Sequence, residues 1–206
     1  MYITWLGQSC FKIQSGEVTL ITDPVGKENG LRAPRFSNVN IITVSRKESD
    51  LSKIKSEALV IDKPGEYEVK RIFLQGIPVR QKQGKETVVV YWMEIENMTL
   101  GHLGSLSTPP EDEEMEKLEG LDILFIPVGG NAVLDVKQAS QVVSQIEPRI
   151  VIPMYYRILG VKEKLDSVDS FCKVMGAKSS EKIERLRIQK KDLPQEEMKI
   201  IVLENQ

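Results

Sequence analysis

The chain has 206 residues, 41% hydrophobic and 28% charged, with a formal net charge of -2. That length suits one core, so a single domain over 1–206 is expected, and the near-balanced charge supplies no broad cationic surface for nucleic acid. No apolar run approaches the roughly 20 residues of a membrane helix and the first residues lack a leader pattern, so neither a membrane nor a nucleic-acid partner is expected and the location reads as cytoplasmic.

In chain order, short apolar or alternating runs at 2–6, 10–13, 18–22, 40–44, 58–61, 67–75, 87–95 and 98–100 read as strands, separated by turn formers such as Ser15-Gly16, Lys63-Pro64-Gly65 and Gln83-Gly84. So many short strands imply a largely antiparallel first half. The rhythm then changes to helix and strand in alternation. Thr108 reads as an N-cap with Pro109 at the first helical position and Glu111 closing a capping box, and that helix ends near Gly120. A buried strand at 123–126 follows. Asp135 caps a second helix whose Val136, Ala139, Val143 and Ile146 fall on one face, and Pro148 stops it. A strand at 150–152, a third helix with Val168, Phe171, Cys172 and Met175 on one stripe, and strands near 185–188 and 199–203 complete the chain. Cys10 and Cys172 lie in apolar periodic segments, where thiols pack as small hydrophobes, so a reduced compartment is expected. Segments 29–37 and 158–165 read as mobile loops near a mouth or edge. Strands followed by helix–strand units predict an α/β (α+β) arrangement of sheets packed face to face with helices outside.

The most informative segment is Ile41-Ile42-Thr43-Val44-Ser45-Arg46-Lys47-Glu48-Ser49-Asp50-Leu51, a buried strand running into a polar turn. Together with Thr4-Trp5-Leu6-Gly7-Gln8-Ser9, Thr22-Asp23-Pro24, Pro64-Gly65-Glu66, Gly101-His102-Leu103-Gly104-Ser105 and Ile152-Pro153-Met154-Tyr155-Tyr156, it resembles the metallo-β-lactamase superfamily. The closer similarity is to the small stand-alone branch that includes ascorbate-6-phosphate lactonase and uncharacterised zinc-dependent hydrolases. The resemblance spans nearly the whole chain and implies a four-layer αββα sandwich with a site at one edge, between the sheets.

It also implies where metal ligands should stand. In the family, Thr-Val-Ser is followed by H-x-H-x-D-H; the matching positions are Arg46, Glu48, Asp50 and Leu51. His102 keeps the next ligand, Ser105 replaces a bridging aspartate, Tyr155 replaces the last histidine, and Gln8 stands where a further histidine often does. A catalytic zinc wants three imidazole, carboxylate or thiolate ligands and an open position. Leu51 donates nothing, and Arg46 carries a permanent positive charge to where a cation should sit. Zinc is therefore not expected. Glu48, Asp50 and His102 would suit the harder magnesium or manganese better, as an alternative.

Each residue carries more than one reading. Arg46 either pairs with Glu48 and Asp50 in place of the metal, belongs to a solvated charged turn, or binds an anion. His102 is a hydrogen-bonded structural residue or, with Asp50, an acid–base candidate. Tyr155 is placed to donate to Asp50 or His102. Asp23 is expected to brace its turn. Gly129-Gly130 lacks the Lys-Ser/Thr of a phosphate loop and reads as a close backbone turn.

The leading expectation is a metal-free, inactive pseudoenzyme that serves as a binding or structural subunit, as a homo-oligomer or paired with an active relative. The rivals are a hydrolase of a small ester, lactone or phosphoester, using an atypical metal or Asp50 and His102, and a sensor of a small anionic ligand in the former cleft.

Overall fold

Strand formation follows the β-branched runs. The structure, a computed structural model, describes residues 1–24, 30–31, 36, 38–46, 57–81, 87–177 and 182–206. Its strands are β1 (Tyr2–Trp5), β2 (Phe11–Ser15), β3 (Val18–Thr22), β4 (Ile41–Thr43), β5 (Leu59–Ile61), β6 (Gly65–Val69), β7 (Ile72–Arg80), β8 (Thr87–Ile95) and β9 (Met98–His102). After them come α1 (Asp112–Glu116), β10 (Ile123–Pro127), α2 (Val136–Ile146), β11 (Ile150–Met154), α3 (Val168–Val174), β12 (Lys182–Ile183), β13 (Leu186–Arg187), β14 (Lys199–Ile200) and β15 (Val202–Leu203).

Among the described residues, two large sheets form, in the orders β13-β1-β2-β3-β4-β5 and β14-β11-β10-β9-β8-β7-β6. Alternation in β1 to β3 turns Ile3, Trp5, Phe11, Ile13 and Leu20 toward the second sheet, where they join Tyr91, Met93, Leu100, Phe125 and Ile152 in one core. Ile21 and Ile42 point the other way, into a smaller cluster with Cys10, Leu31, Phe36, Val39 and Val44. The strands β10 and β11 are buried at every position, which requires cover on both faces. The parallel crossover β10–α2–β11 supplies it, with Ala139, Val142, Val143 and Ile146 turned inward and α3 beside α2. This is the sandwich of facing sheets with helices outside that the sequence predicts. Both cysteines are buried and free, and no helix among the described residues is long and apolar enough to cross a membrane.

Three sequence expectations need correction. The first half is largely but not wholly antiparallel: β3, β4 and β5 run parallel, because connections of 18 and 15 residues allow crossovers where a tight turn would not. The expected single strand at 67–75 is a hairpin. Its register pairs Val69 with Ile72, and Lys70 and Arg71 take the left-handed conformation with φ of 51° and 66°. The first helix starts at Asp112 with Glu111 as N-cap and Glu114 closing the box, while Thr108 is held by Gln81, whose Oε1 accepts from the N–H groups of Ser107 and Thr108 at 2.7 and 3.1 Å.

The Lys70-Arg71 turn yields a stability test. Neither residue favours positive φ, and Asn-Gly does. The double change Lys70→Asn with Arg71→Gly is expected to raise stability by about 1 kcal/mol, read as a higher urea midpoint at unchanged slope. A lower midpoint would show that the native side chains make contacts worth more than the backbone strain.

Candidate functional site

The site lies where several chain reversals meet at one edge of the sandwich. Three non-glycine residues there hold positive φ: Gln8 at 46°, Asp23 at 36° and Tyr155 at 53°. Such conformations cost about 1–3 kcal/mol each and persist only where surrounding bonds over-determine them. The bonds are visible. The Gln8 carbonyl accepts from the Trp5 indole N–H at 2.8 Å and the Tyr155 N–H at 3.1 Å, tying the β1–β2 turn to the end of β11. Asp23 donates its N–H to the Thr43 carbonyl at 2.9 Å.

Each oxygen of the Asp23 carboxylate accepts a bond from one and the same residue. Its Oδ1 accepts from the Ser45 N–H and its Oδ2 from the Ser45 hydroxyl, both at 2.6 Å. It thus braces the turn after β4 from the end of β3. Gly104 presses on the same place: at φ 55°, a Cβ there would stand 2.5 Å from the Ser45 side chain. Arg46, next in the chain, donates from Nη2 to the Ser105 carbonyl at 2.7 Å. A guanidinium therefore reaches the turn where the family carries a bridging carboxylate. The proposed partners Glu48 and Asp50, and Leu51, lie outside the described residues.

His102 ends β9 and is fully buried. Its ring lies 6.1 Å from that of Phe11 and 6.0 Å from that of Phe125, and Nε2 is 2.9 Å from the Ser9 carbonyl. A carbonyl can only accept, so Nε2 carries the proton, and Nδ1 is left buried without a hydrogen-bond partner among the described residues. Burial holds the imidazole pKa below its ordinary value, and the nearby Asp23 charge and the Ser9 carbonyl offset this only in part. The geometry is that of a packed, neutral histidine.

Tyr155 does not bond His102; its hydroxyl lies 3.5 Å from Oε1 of Glu163, a residue absent from the sequence reading. The Glu163 Oε2 accepts from Gln8 Nε2 at 2.9 Å. Burial first, and the Glu163 charge second, push the Tyr155 pKa up, so the phenol stays protonated and acts as a donor. Segment 158–165, expected to be mobile, is pinned at its base: Arg157 N–H donates to Asp166 O at 2.8 Å and Asp166 N–H to Gly129 O at 2.7 Å. The Gly129 turn admits no side chain there, since a Cβ would meet the Tyr155 carbonyl at 2.2 Å.

Among the described residues, the donors at the site do not fit a zinc, magnesium or manganese ion. Both Asp23 oxygens accept from Ser45, both Glu163 oxygens face donors, and the imidazole, with Nε2 on the Ser9 carbonyl, offers Nδ1 alone, one ligand where a catalytic ion needs about three. Among the described residues, no group of three His, Cys, Asp or Glu is arranged to hold a metal.

Comparison with known proteins agrees with the fold. Residues 2–155 match the beta-lactamase superfamily domain. A UPF0173 protein of Pyrococcus abyssi is 27% identical over 188 residues, covering 78% of this chain and 85% of that protein. A UPF0173 metal-dependent hydrolase of the same organism is 24% identical over 189 residues, covering 75% and 84%. Among solved structures, a Thermotoga maritima protein of the metallo-beta-lactamase superfamily, proposed to be a Zn-dependent hydrolase, superposes with a TM-score of 0.82 at 27% identity over 98% of this chain and 97% of that one.

Proposed function

The chain belongs to the beta-lactamase superfamily, and from that premise we propose that it is a metal-free member whose former catalytic cleft binds rather than hydrolyses. The observation that carries this reading is the set of side-chain bonds among the described residues of the site: Ser45 on Asp23, and Gln8 and Tyr155 on Glu163. Relatives named as metal-dependent hydrolases share the scaffold, but function resides in the site and not in the fold. A bound zinc would have to compete with the Ser45 N–H and hydroxyl for the Asp23 carboxylate, and His102 would give it one nitrogen, Nδ1. An Arg46 guanidinium in the same turn opposes it further. The buried free cysteines suit a reduced, cytoplasmic setting.

Hydrolysis through an atypical ion remains the second reading, supported by the names of the relatives. One experiment separates the two. Protein purified without chelator or nickel resin is expected to carry zinc, manganese and magnesium far below one ion per chain, and to cleave ester, lactone and phosphodiester probes no faster than its heat-denatured control. A stoichiometric metal together with metal-dependent turnover would overturn the proposal.

A further inference from the structure

Gln8 and Tyr155 hold the Glu163 carboxylate as they would hold a ligand. Each carboxylate oxygen faces one donor, Oε2 the Gln8 amide at 2.9 Å and Oε1 the Tyr155 hydroxyl at 3.5 Å. One donor per oxygen matches the geometry of a planar two-oxygen acceptor. The two donors belong to the rigid body. Gln8 is 3% exposed, and its own carbonyl ties β1–β2 to β11. The acceptor belongs to an excursion of the chain. Residues 157–166 leave the sheet after Tyr155 and return at Asp166 with their ends bonded together, as in an Ω-loop. At its far end Leu159 is 99% exposed, an apolar side chain with nothing covering it. Besides the base bonds, Asn131 holds the Lys164 carbonyl at 2.6 Å, Ile158 and Val161 pack against the smaller apolar cluster, and Leu165 is buried. Glu163 is the acid that this loop sets against Gln8 and Tyr155.

We infer that the Gln8–Tyr155 donor pair is a recognition site for the carboxylate of a small ligand, held shut by the chain's own Glu163, so that an incoming carboxylate displaces Glu163 and loosens the loop around Lys162 and Lys164. This rests on the reading of the cleft as a binding site. The tethered carboxylate competes at an effective concentration on the order of millimolar, as for other short tethers. A free carboxylate must outcompete it, which weakens apparent binding by the fraction of time the site is open.

The test compares the full wild-type chain with Glu163→Ala, using sodium acetate as probe and sodium chloride at matched ionic strength as control. Acetate is expected to raise the melting temperature of Glu163→Ala at concentrations at least about tenfold below those needed for the wild type. Trypsin should cut Glu163→Ala faster at Lys162 and Lys164, with or without acetate, because acetate fills the site without tethering the loop. Adding Gln8→Ala should remove the acetate effect. Glu163→Gln, which keeps the size but replaces one acceptor oxygen with a donor, should behave in between and serves if the alanine variant fails to fold. The inference is overturned if acetate shifts wild type and variant alike, if it acts no differently from chloride, or if the effect survives Gln8→Ala. Inorganic phosphate binding more tightly than acetate would overturn the carboxylate assignment. None of these readouts depends on metal content or turnover, so failure here is distinct from failure of the proposed function.

Discussion

Replacing Phe125 with alanine is expected to cost about 3–5 kcal/mol. Phe125 is fully buried in β10, between the parallel neighbours β9 and β11, so the backbone on either side cannot move in to fill a hole. Its ring reaches across to the other sheet and packs against Phe11 at 4.6 Å between centroids, with the His102 ring beside both. The loss would be a large fraction of the roughly 5–15 kcal/mol that holds a domain of ordinary stability. It should appear as a lower urea midpoint at an unchanged slope, because the folded and unfolded states still differ by nearly the same surface. Phe125→Leu, which restores most of the volume, should cost less than about 1.5 kcal/mol. The effect reaches the site through the backbone: Leu103 donates to the Phe125 carbonyl at 3.1 Å and begins the turn that places Gly104 against Ser45. A loss under 1 kcal/mol for the alanine variant would mean that the two sheets close on the gap.

What could be seen in the sequence, and what could not, divides along the range of the interactions. The runs Ile123-Leu124-Phe125-Ile126 and Ile150-Val151-Ile152 announce strands buried on both faces, and Asp135 with Gln138 announces a capped helix, because the deciding bonds lie within a few residues. The start of α1 was ambiguous for a physical reason. Thr108 with Glu111 and Glu111 with Glu114 both have capping-box spacing, and a residue far off in the chain, Gln81, decides by taking the N–H groups of Ser107 and Thr108. The turn at Lys70-Arg71 carries no glycine or asparagine to betray its positive φ. At the site, Gln8, Asp23, Arg46, His102, Ser105 and Tyr155 stand out because each sits at a strand end inside a motif. Glu163 does not. It meets Gln8 across 155 positions of sequence through a loop whose own residues, Lys162 and Lys164 among them, look like ordinary surface. Only the fold of that loop shows that the polar set at the site is completed by an acid and not by the imidazole.

That imidazole has its own consequence below neutral pH. His102 is the one histidine of the chain, so a histidine titration has a single source. Burial holds its folded pKa below the ordinary 6.5, while the unfolded chain keeps about that ordinary value. The unfolded state therefore takes up a proton first as pH falls. The stability due to the neutral buried ring is complete above about pH 6.5 and is lost as pH drops from there through the folded pKa, with a slope that approaches about 1.4 kcal/mol per pH unit. Most carboxylates titrate lower, near pH 4, which leaves the upper part of that window to His102. His102→Leu removes the titration. It also removes the Nε2 bond, but the Ser9 carbonyl still accepts from the Thr22 hydroxyl at 2.7 Å, and the partnerless Nδ1 disappears. Urea midpoints measured from pH 8 to pH 5 should fall for the wild type below pH 6.5 and stay flat for the variant down to about pH 5. The two curves should converge or cross as pH falls. Parallel curves would mean that the ring takes up its proton as readily in the folded state as in the unfolded one, and a His102 charged at that depth would have to draw the Asp23 carboxylate away from Ser45 to be tolerated.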